Sequence, residues 1–434
     1  MNIRLYNARI LTMEHKRPAF SGEIWIKDDR IVYVGEEETL KEELEKGEME
    51  GLHFDEEIDC DNNLLMPGFK DCHTHSAMTF LRSYADDEPL QKWLAKKVFP
   101  NEQKLNEDYI YEFTRLAVLE YLSAGITTIF DMYLMPDVTA RACMDTGMRA
   151  VLTSGLNNFT SSVYQMEDEY KRWNSKEYPL ISYHLGFHAE YTNSKENLYN
   201  LGHLVRNLRA PVFTHLAETE GEVDDCKKRY GMTPAMFIES MGLFAYGGGG
   251  FHCVHMSQDD MDVFKRNRLF VITNPASNMK LASGIAPIAE FVKNKIPVAI
   301  GTDGAASNNS LDMFKEMFLV SALSKIREKE ADSMDAVRVL RMATVNGARA
   351  LGLKRADVLA KGKYADIIMI DMKRPNMQPE NNIRKNLVYA GDKSNIKMTM
   401  IAGRVLYKDG EFHIGEEPEK IYRSCNDIVK KILK

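Results

Sequence analysis

From Leu64 onward, apolar runs of five to eight residues alternate with polar loops and with longer stretches in which apolar positions recur every three or four residues. A short apolar run bounded by turn residues reads as a strand buried on both faces, and the longer spacing reads as an amphipathic helix. Eight such runs occur, at Leu64–Asp71, Thr127–Met132, Arg149–Thr153, Ile181–Phe187, Pro211–His215, Gly250–Val254, Leu269–Thr273 and Pro297–Gly301. Helical stretches such as Asp108–Ala124 and Asp259–Asn267 lie between them. Eight strands alternating with helices predict an α/β chain built on a distorted (β/α)8 TIM barrel, here over residues 63–359. The structural alternative is a doubly wound sheet. The first strand is followed by no G-x-G-x-x-G and the chain has no P-loop pattern, which disfavours it.

The two ends read differently. Ile3–Leu5, Glu23–Lys27 and Arg30–Val34 are short strand signals, with Asp28-Asp29 as a turn between the last two. Residues 37–61 are rich in Glu and Lys and read as a solvated loop or short helix. After a helix near Met334–Leu351, strand signals return at Ala365–Asp371, Leu387–Ala390, Ile396–Ile401 and Arg404–Lys408, with Ala402-Gly403 as a turn. The expectation is one small β domain assembled from residues 1–62 and 360–434. From Pro418, Ile421, Cys425, Ile428, Val429 and Ile432 share one helical face, which docks on its own body or on a second copy.

Composition narrows the function classes. The 434 residues are 44% hydrophobic and 27% charged, enough to bury a large core and too apolar for a disordered chain. Lys plus Arg number 56 against 63 Asp plus Glu, and no basic block stands out, so neither nucleic acid nor an anionic membrane is an expected partner. The first twenty residues hold no apolar run long enough for a signal peptide, and no stretch is long and apolar enough for a membrane-spanning helix. The six cysteines are scattered without a C-x-x-C pair, which fits reduced thiols and a cytoplasmic location.

Candidate chemistry clusters at strand ends. His73 and His75 follow the first barrel strand at i and i+2, so both project from one side and reach one ion at about 2.0–2.1 Å. His215 ends the fifth strand, and Glu218 lies three residues on, placed to shuttle a proton without binding the ion. At the sixth strand His252 and His255 face opposite ways, and His252 is the one expected to enter the site. His255, His184 and His203 read as structural, and the four glycines Gly247–Gly250 as a flexible turn. Asp303 follows the eighth strand. Each group alone is weak. Together His73, His75, His215, His252 and Asp303 fall at the rim where barrel enzymes place their catalytic groups, which favours a metal site.

These segments resemble the amidohydrolase superfamily, and within it the methylthioadenosine/S-adenosylhomocysteine deaminase group and its chlorohydrolase-like relatives. The resemblance rests on Met66-Pro67-Gly68 leading into His73-Thr74-His75, His215-Leu216-Ala217-Glu218-Thr219, His252-Cys253-Val254-His255, Asn274-Pro275-Ala276-Ser277-Asn278 and Gly301–Ser310. It implies a β-sandwich built from both termini and one divalent metal held by His73, His75, His215 and Asp303, with zinc expected first and iron or manganese as alternatives. It further implies that Asp303 and His252 orient the attacking water, that Glu218 protonates a ring nitrogen, and that ammonia leaves. Glu102 matches a contact to ribose hydroxyls and His188 a second nucleoside contact. The implied reaction is hydrolytic deamination of adenosine, 5′-deoxyadenosine or methylthioadenosine, by a chain that self-associates.

One departure bears on the substrate. Members that take S-adenosylhomocysteine carry two arginines for its carboxylate; here Ser154 stands at the first position and Gln165 or Met166 near the second. The homocysteine tail is therefore expected to bind poorly. Two other readings remain: an amino- or chlorohydrolase of a guanine-, pterin- or triazine-like ring, against which Glu102 argues, and a non-catalytic scaffold, against which the intact ligand set argues.

Overall fold

The computed structural model describes residues 1–36, 53–84 and 86–433. In chain order the first strands are β1 (Asn2–Ile10), β2 (Phe20–Lys27), β3 (Arg30–Gly35), β4 (Glu56–Asp59) and β5 (Leu64–Pro67). Next come β6 (Phe69–Thr74), β7 (Ile126–Tyr133), β8 (Arg149–Ser154), β9 (Ile181–Tyr183), β10 (Leu185–Phe187), β11 (Val212–Leu216), β12 (Gly248–His252), β13 (Phe270–Thr273) and β14 (Val298–Ile300). The last are β15 (Ile367–Ile370), β16 (Ile396–Ile401), β17 (Arg404–Lys408) and β18 (Glu411–Phe412).

Strands β6 to β14 occupy the eight positions expected of the barrel. They pair in parallel as two sheets, β6-β7-β8-β9 and β10-β11-β12-β13-β14. The sheets meet at two seams. At one, His184 N donates to Leu152 O and His188 N to Leu156 O, each at 2.9 Å. At the other, Asp303 N donates to His73 O at 2.8 Å. Strands β7 and β8 are buried at every residue, as parallel strands covered by helices must be. The helices start on conventional caps: Asn106 accepts from Tyr109 N ahead of Glu107–Ser123, and Ser257 and Asp260 form a capping box ahead of Gln258–Asn267.

Strands from both chain ends join in one nine-stranded sheet, ordered β18-β17-β16-β15-β5-β1-β2-β3, with β4 beside β1. Alternate residues of β1, including Ile3, Leu5 and Ile10, pack with Ile24, Ile367 and Met398. The β-sandwich implied by the resemblance is formed by this one hydrogen-bonded sheet, which curls on itself: Ala365 N donates to Asp29 O and Ile31 N to Lys363 O, each at 2.9 Å.

Several expected elements differ. The run Leu64–Asp71 is two strands: Leu64–Pro67 pairs with β1 and β15 in the terminal sheet, and only the part from Phe69 enters the barrel. Ile181–Phe187 divides at His184, whose ring is drawn off to Leu351 O. Leu387–Ala390 is not a strand but the end of helix Ile383–Tyr389, capped by Asn382. The glycine run is not a flexible turn: three of its residues belong to β12, where an added Cβ on Gly248 would stand 1.8 Å from Val212 O. Of the charged segment 37–61, residues 37–52 lie outside the described residues, and Glu56–Asp59 is strand β4. The helix Pro418–Ile432 docks on its own chain, where Cys425 Sγ reaches Glu112 O at 3.4 Å. All six cysteines are free and buried, and no helix among the described residues is long and apolar enough to cross a membrane.

Barrel and terminal sheet are tied by a buried ion pair. Arg149 on β8 makes a two-pronged contact with Asp366, at 2.7 Å from Nε and 3.0 Å from Nη2, and both side chains are buried. Asp366 also accepts from Ala402 N at 2.8 Å. Burial pushes its carboxyl up, but Arg149 outweighs that and holds it below the usual aspartate value. That contribution is complete above the ordinary aspartate range and is lost as pH falls through the lowered value. Asp366→Asn should cost about 3–5 kcal/mol in urea unfolding at pH 7, because Arg149 keeps its buried charge without a counter-charge. A cost below about 1 kcal/mol would mean that the junction does not depend on the pair.

Candidate active site

The strand ends bring the sequence-predicted groups together. His73 and His75 leave β6 on one face, with ring centroids 4.7 Å apart. His215 comes from β11, and its ring lies 4.8 Å from that of His73. Donor atoms of His73, His75 and His215 lie within 4.8 Å of one another, as do those of His73, His252 and Asp303. Carbonyl oxygens can only accept, so the tautomers follow from the contacts. His75 Nδ1 donates to Met132 O at 2.5 Å and His215 Nδ1 donates to His188 O at 2.7 Å, so each Nε2 faces the cluster, bare on His215 and protonated toward Asp303 on His75. His73 stacks on Phe251, is fully buried, and has no hydrogen-bond partner at either ring nitrogen.

Asp303 faces these rings, with Oδ1 3.2 Å from His75 Nε2 and 3.7 Å from His73 Nε2. It sits at φ 62°, a left-handed conformation costly for a non-glycine residue, and is held there by hydrogen bonds. Ser277 Oγ donates to Oδ2 at 2.6 Å and Gly304 N donates to Oδ1 at 2.8 Å. Gly301 beside it has no room for a side chain, since a Cβ would meet His73 N at 2.7 Å. Burial keeps His73 and His215 neutral, well below the usual histidine value. His75 runs the other way: burial lowers it, but Asp303 lifts it to about 9, a proton that a bound cation would displace. Three imidazoles, that of His73 buried without a hydrogen-bond partner, and one carboxylate fit a divalent metal ion.

Beside this cluster stand two groups suited to moving protons. His252 Nδ1 donates to Asn278 Oδ1 at 2.8 Å, so Nε2 is presented 3.9 Å from Glu218 and 4.0 Å from Asp303. Glu218 accepts from Ser283 Oγ at 3.3 Å, and burial raises its carboxyl above the ordinary range. Its backbone is clamped by Glu222, which accepts from Ala217 N at 2.8 Å and Glu218 N at 2.9 Å.

A cavity of about 440 Å³ opens above the cluster and is lined by His75, His215, Glu218, His252, Asp303, Glu102 and His188, among others. His73 lies just behind this lining. Glu102 is half-buried and raised by burial. Burial lowers His188 to about 4, so it is a neutral ring, with Nδ1 3.1 Å from Thr192 Oγ1. Trp93, Phe99, Leu134, Met135 and Phe159 supply apolar wall, and no lysine or arginine is among the described lining residues. Ser154 and Gln165 do line the cavity; Met166 is in the core.

Thus all eight proposed site residues gather at one place. His255 is turned away to Ser283 O at 2.7 Å, His184 to Leu351 O, and His203 is exposed beside Tyr199. Sequence reasoning missed Glu222 and Ser283. Asn278 was in view only as part of a motif. A carboxylate four residues after Glu218, in the first turn of helix Glu220–Tyr230, was the available signal for Glu222.

Residues 64–406 match the amidohydrolase family. A 5-methylthioadenosine/S-adenosylhomocysteine deaminase from Desulforamulus reducens is 38% identical over 421 residues, covering 96% of this chain and 95% of that one. The protein of the same name from Moorella thermoacetica is 39% identical over 94% of this chain and 95% of its own length. Among solved structures, a zinc-bound adenosine deaminase from Xanthomonas campestris superposes with a TM-score of 0.91 at 28% identity, covering 99% of this chain and 98% of that one. A metal-fitting cluster at the strand ends of this barrel, with a family match running from β5 to β17, makes the chain a member of the amidohydrolase family.

Proposed function

We propose that the protein is a zinc-dependent hydrolytic deaminase of adenosine-type nucleosides that carry a neutral 5′ substituent. The observation that carries this reading is the convergence of His73, His75, His215 and Asp303 with Glu218 and His252 at one end of a cavity with no lysine or arginine among its described lining residues. The relatives' names, deaminases of methylthioadenosine and S-adenosylhomocysteine or of adenosine, support the substrate class.

In this reading His73, His75, His215 and Asp303 hold the metal, which when bound supplies Lewis acidity for activating water. The chain's own residues do the rest. Glu218, kept protonated to higher pH by burial, donates to a ring nitrogen of the base and makes the neighbouring carbon electrophilic. His252 has its Nδ1 tied to Asn278, so Nε2 is the atom that orients and polarises the attacking water. Asp303 accepts the water's proton and passes it to the departing amino group, which leaves as ammonia, while Glu218 recovers its proton from the new hydroxyl as the carbonyl forms. Glu102 takes the ribose hydroxyls, and neutral His188 adds a hydrogen bond to the sugar.

The mouth decides the 5′ group. Ser154 carries a buried hydroxyl without a partner, and Gln165 Nε2 is committed to Glu169 at 3.0 Å. Neither supplies the charged fork that a carboxylate needs. An amino-acid tail would lose its hydration with no cation to replace it.

Two outcomes follow. Ammonia release by the zinc-loaded chain should be efficient with adenosine, 5′-deoxyadenosine and methylthioadenosine, and weaker by about tenfold or more in kcat/KM with S-adenosylhomocysteine, in line with the loss of a charge-assisted contact. Turnover of guanine or a triazine alone would overturn the substrate class and remove the role given to Glu102. Glu218→Gln should lower kcat by about 10²–10⁴-fold while KM changes little. Full activity in that variant would assign the proton transfer elsewhere.

A further inference from the structure

Glu316 is a fully buried carboxylate on helix Met313–Glu328 and does not line the cavity. Its two oxygens reach two different segments. Oε2 accepts from Ala276 N at 3.0 Å, and Oε1 accepts from Asn308 Nδ2 at 2.9 Å. Ala276 is the second residue of the short helix Pro275–Lys280 and is followed by Ser277, the donor to Asp303, and Asn278, the acceptor from His252. Asn308 Nδ2 also donates to Thr302 O at 2.6 Å, one residue before Asp303. Lys315 Nζ donates to Asn308 Oδ1 at 2.6 Å and fixes the amide orientation.

We infer that Glu316 is a positioning residue for the reaction, holding the helix Pro275–Lys280 and the segment after β14 in one register so that Asp303 and His252 face the same point. The inference rests on the roles given to those two residues in the proposed function. Both neighbours of Glu316 are N–H donors, so the position calls for a group that accepts on two sides. An amide accepts on one side only and turns an N–H toward the other donor. An aliphatic side chain accepts on neither and leaves two buried donors unpaired. Burial pushes the carboxyl up, and the N–H donors of Ala276 and Asn308 oppose that by favouring the ionised form that accepts on both oxygens. The clamp reaches Asp303 twice, through Ser277 at its carboxylate and through Thr302 at its backbone. It reaches His252 once, through Asn278.

The test compares the zinc-loaded full chain with Glu316→Gln and Glu316→Leu. It measures kcat and KM with the best nucleoside, zinc affinity by chelator competition, and the thermal midpoint used to correct for folded fraction. Support for an outer residue of this kind typically amounts to about 10–100-fold in metal affinity or activity. The expected order is therefore a kcat loss of about tenfold for Gln and about a hundredfold for Leu, with zinc held less tightly and KM within about threefold. Should Glu316→Leu fail to fold, Asn308→Ala removes one arm and should show the same split. Parental kcat at saturating zinc in the folded variants overturns the proposal. If the parent chain turns over no nucleoside, the proposed function fails by itself. Zinc affinity then decides the clamp alone: parental affinity in the variants overturns it.

Discussion

The structure depends on holding several imidazoles and two carboxylates within a few ångströms of one another, out of water. Buried polar groups left unpaired are costly, and buried like charges more so. Each member of this cluster is therefore fixed from behind. Met132 O and His188 O take the outer protons of His75 and His215, and Asn278 takes that of His252. Ser277 and Gly304 N hold Asp303. His73 is the exception, since neither of its nitrogens has a partner, and that exception marks where a cation's contribution would be largest. The same demand explains the local backbone. Ala217, His252 and Asp303 all have positive φ, and each stands next to a contact of the cluster. The strain of these conformations is sustained by the clamps around them.

The barrel makes such a cluster possible because parallel strands end together. Strands β6, β11, β12 and β14 present their last residues to one rim, and the seam between β14 and β6 is closed by Asp303 itself through its N–H to His73 O. The residue that closes the barrel thus also faces the cluster. The curled terminal sheet works at the other side, where Arg149 and Asp366 lock β8 to the segment leading into β15.

Much of the site was legible in the sequence because its signals are local. His73 and His75 sit two apart on a strand, and Glu218 follows His215 by three. What was illegible depends on distant partners. In the run Leu64–Asp71 only the turn dipeptide Pro67-Gly68 marks the point where it leaves one sheet for another, and the complete burial of both halves, Lys70 and Asp71 included, makes the run read as one strand. Leu387 and Val388 are buried in a helix as they would be in a strand, and only the cap at Asn382 separates the two readings. The glycines of β12 looked flexible because their constraint, the carbonyl of Val212, lies on another strand. Glu222 and Glu316 read as ordinary helix-start acids, because their function is to accept backbone and side-chain N–H groups that no spacing rule connects to them.

The cavity lining is of three kinds, which bears on selectivity. The titratable groups of the cluster have their protonation shifted by burial and by one another, the setting in which proton transfer to a heterocycle is effective. Other polar groups are neutral: His188 with its lowered pKa, the Ser154 hydroxyl, and the Gln165 amide bonded to Glu169. The apolar wall includes Trp93, Phe99, Met135 and Phe159. Aromatic rings and a methionine thioether contact sulfur and carbon well and solvate a carboxylate poorly. Under the proposed function, a nucleoside with a small apolar 5′ group meets this apolar wall, and one charged at its far end meets no lysine or arginine among the described lining residues, while Glu218, His252 and Asp303 act on every substrate that the cavity admits.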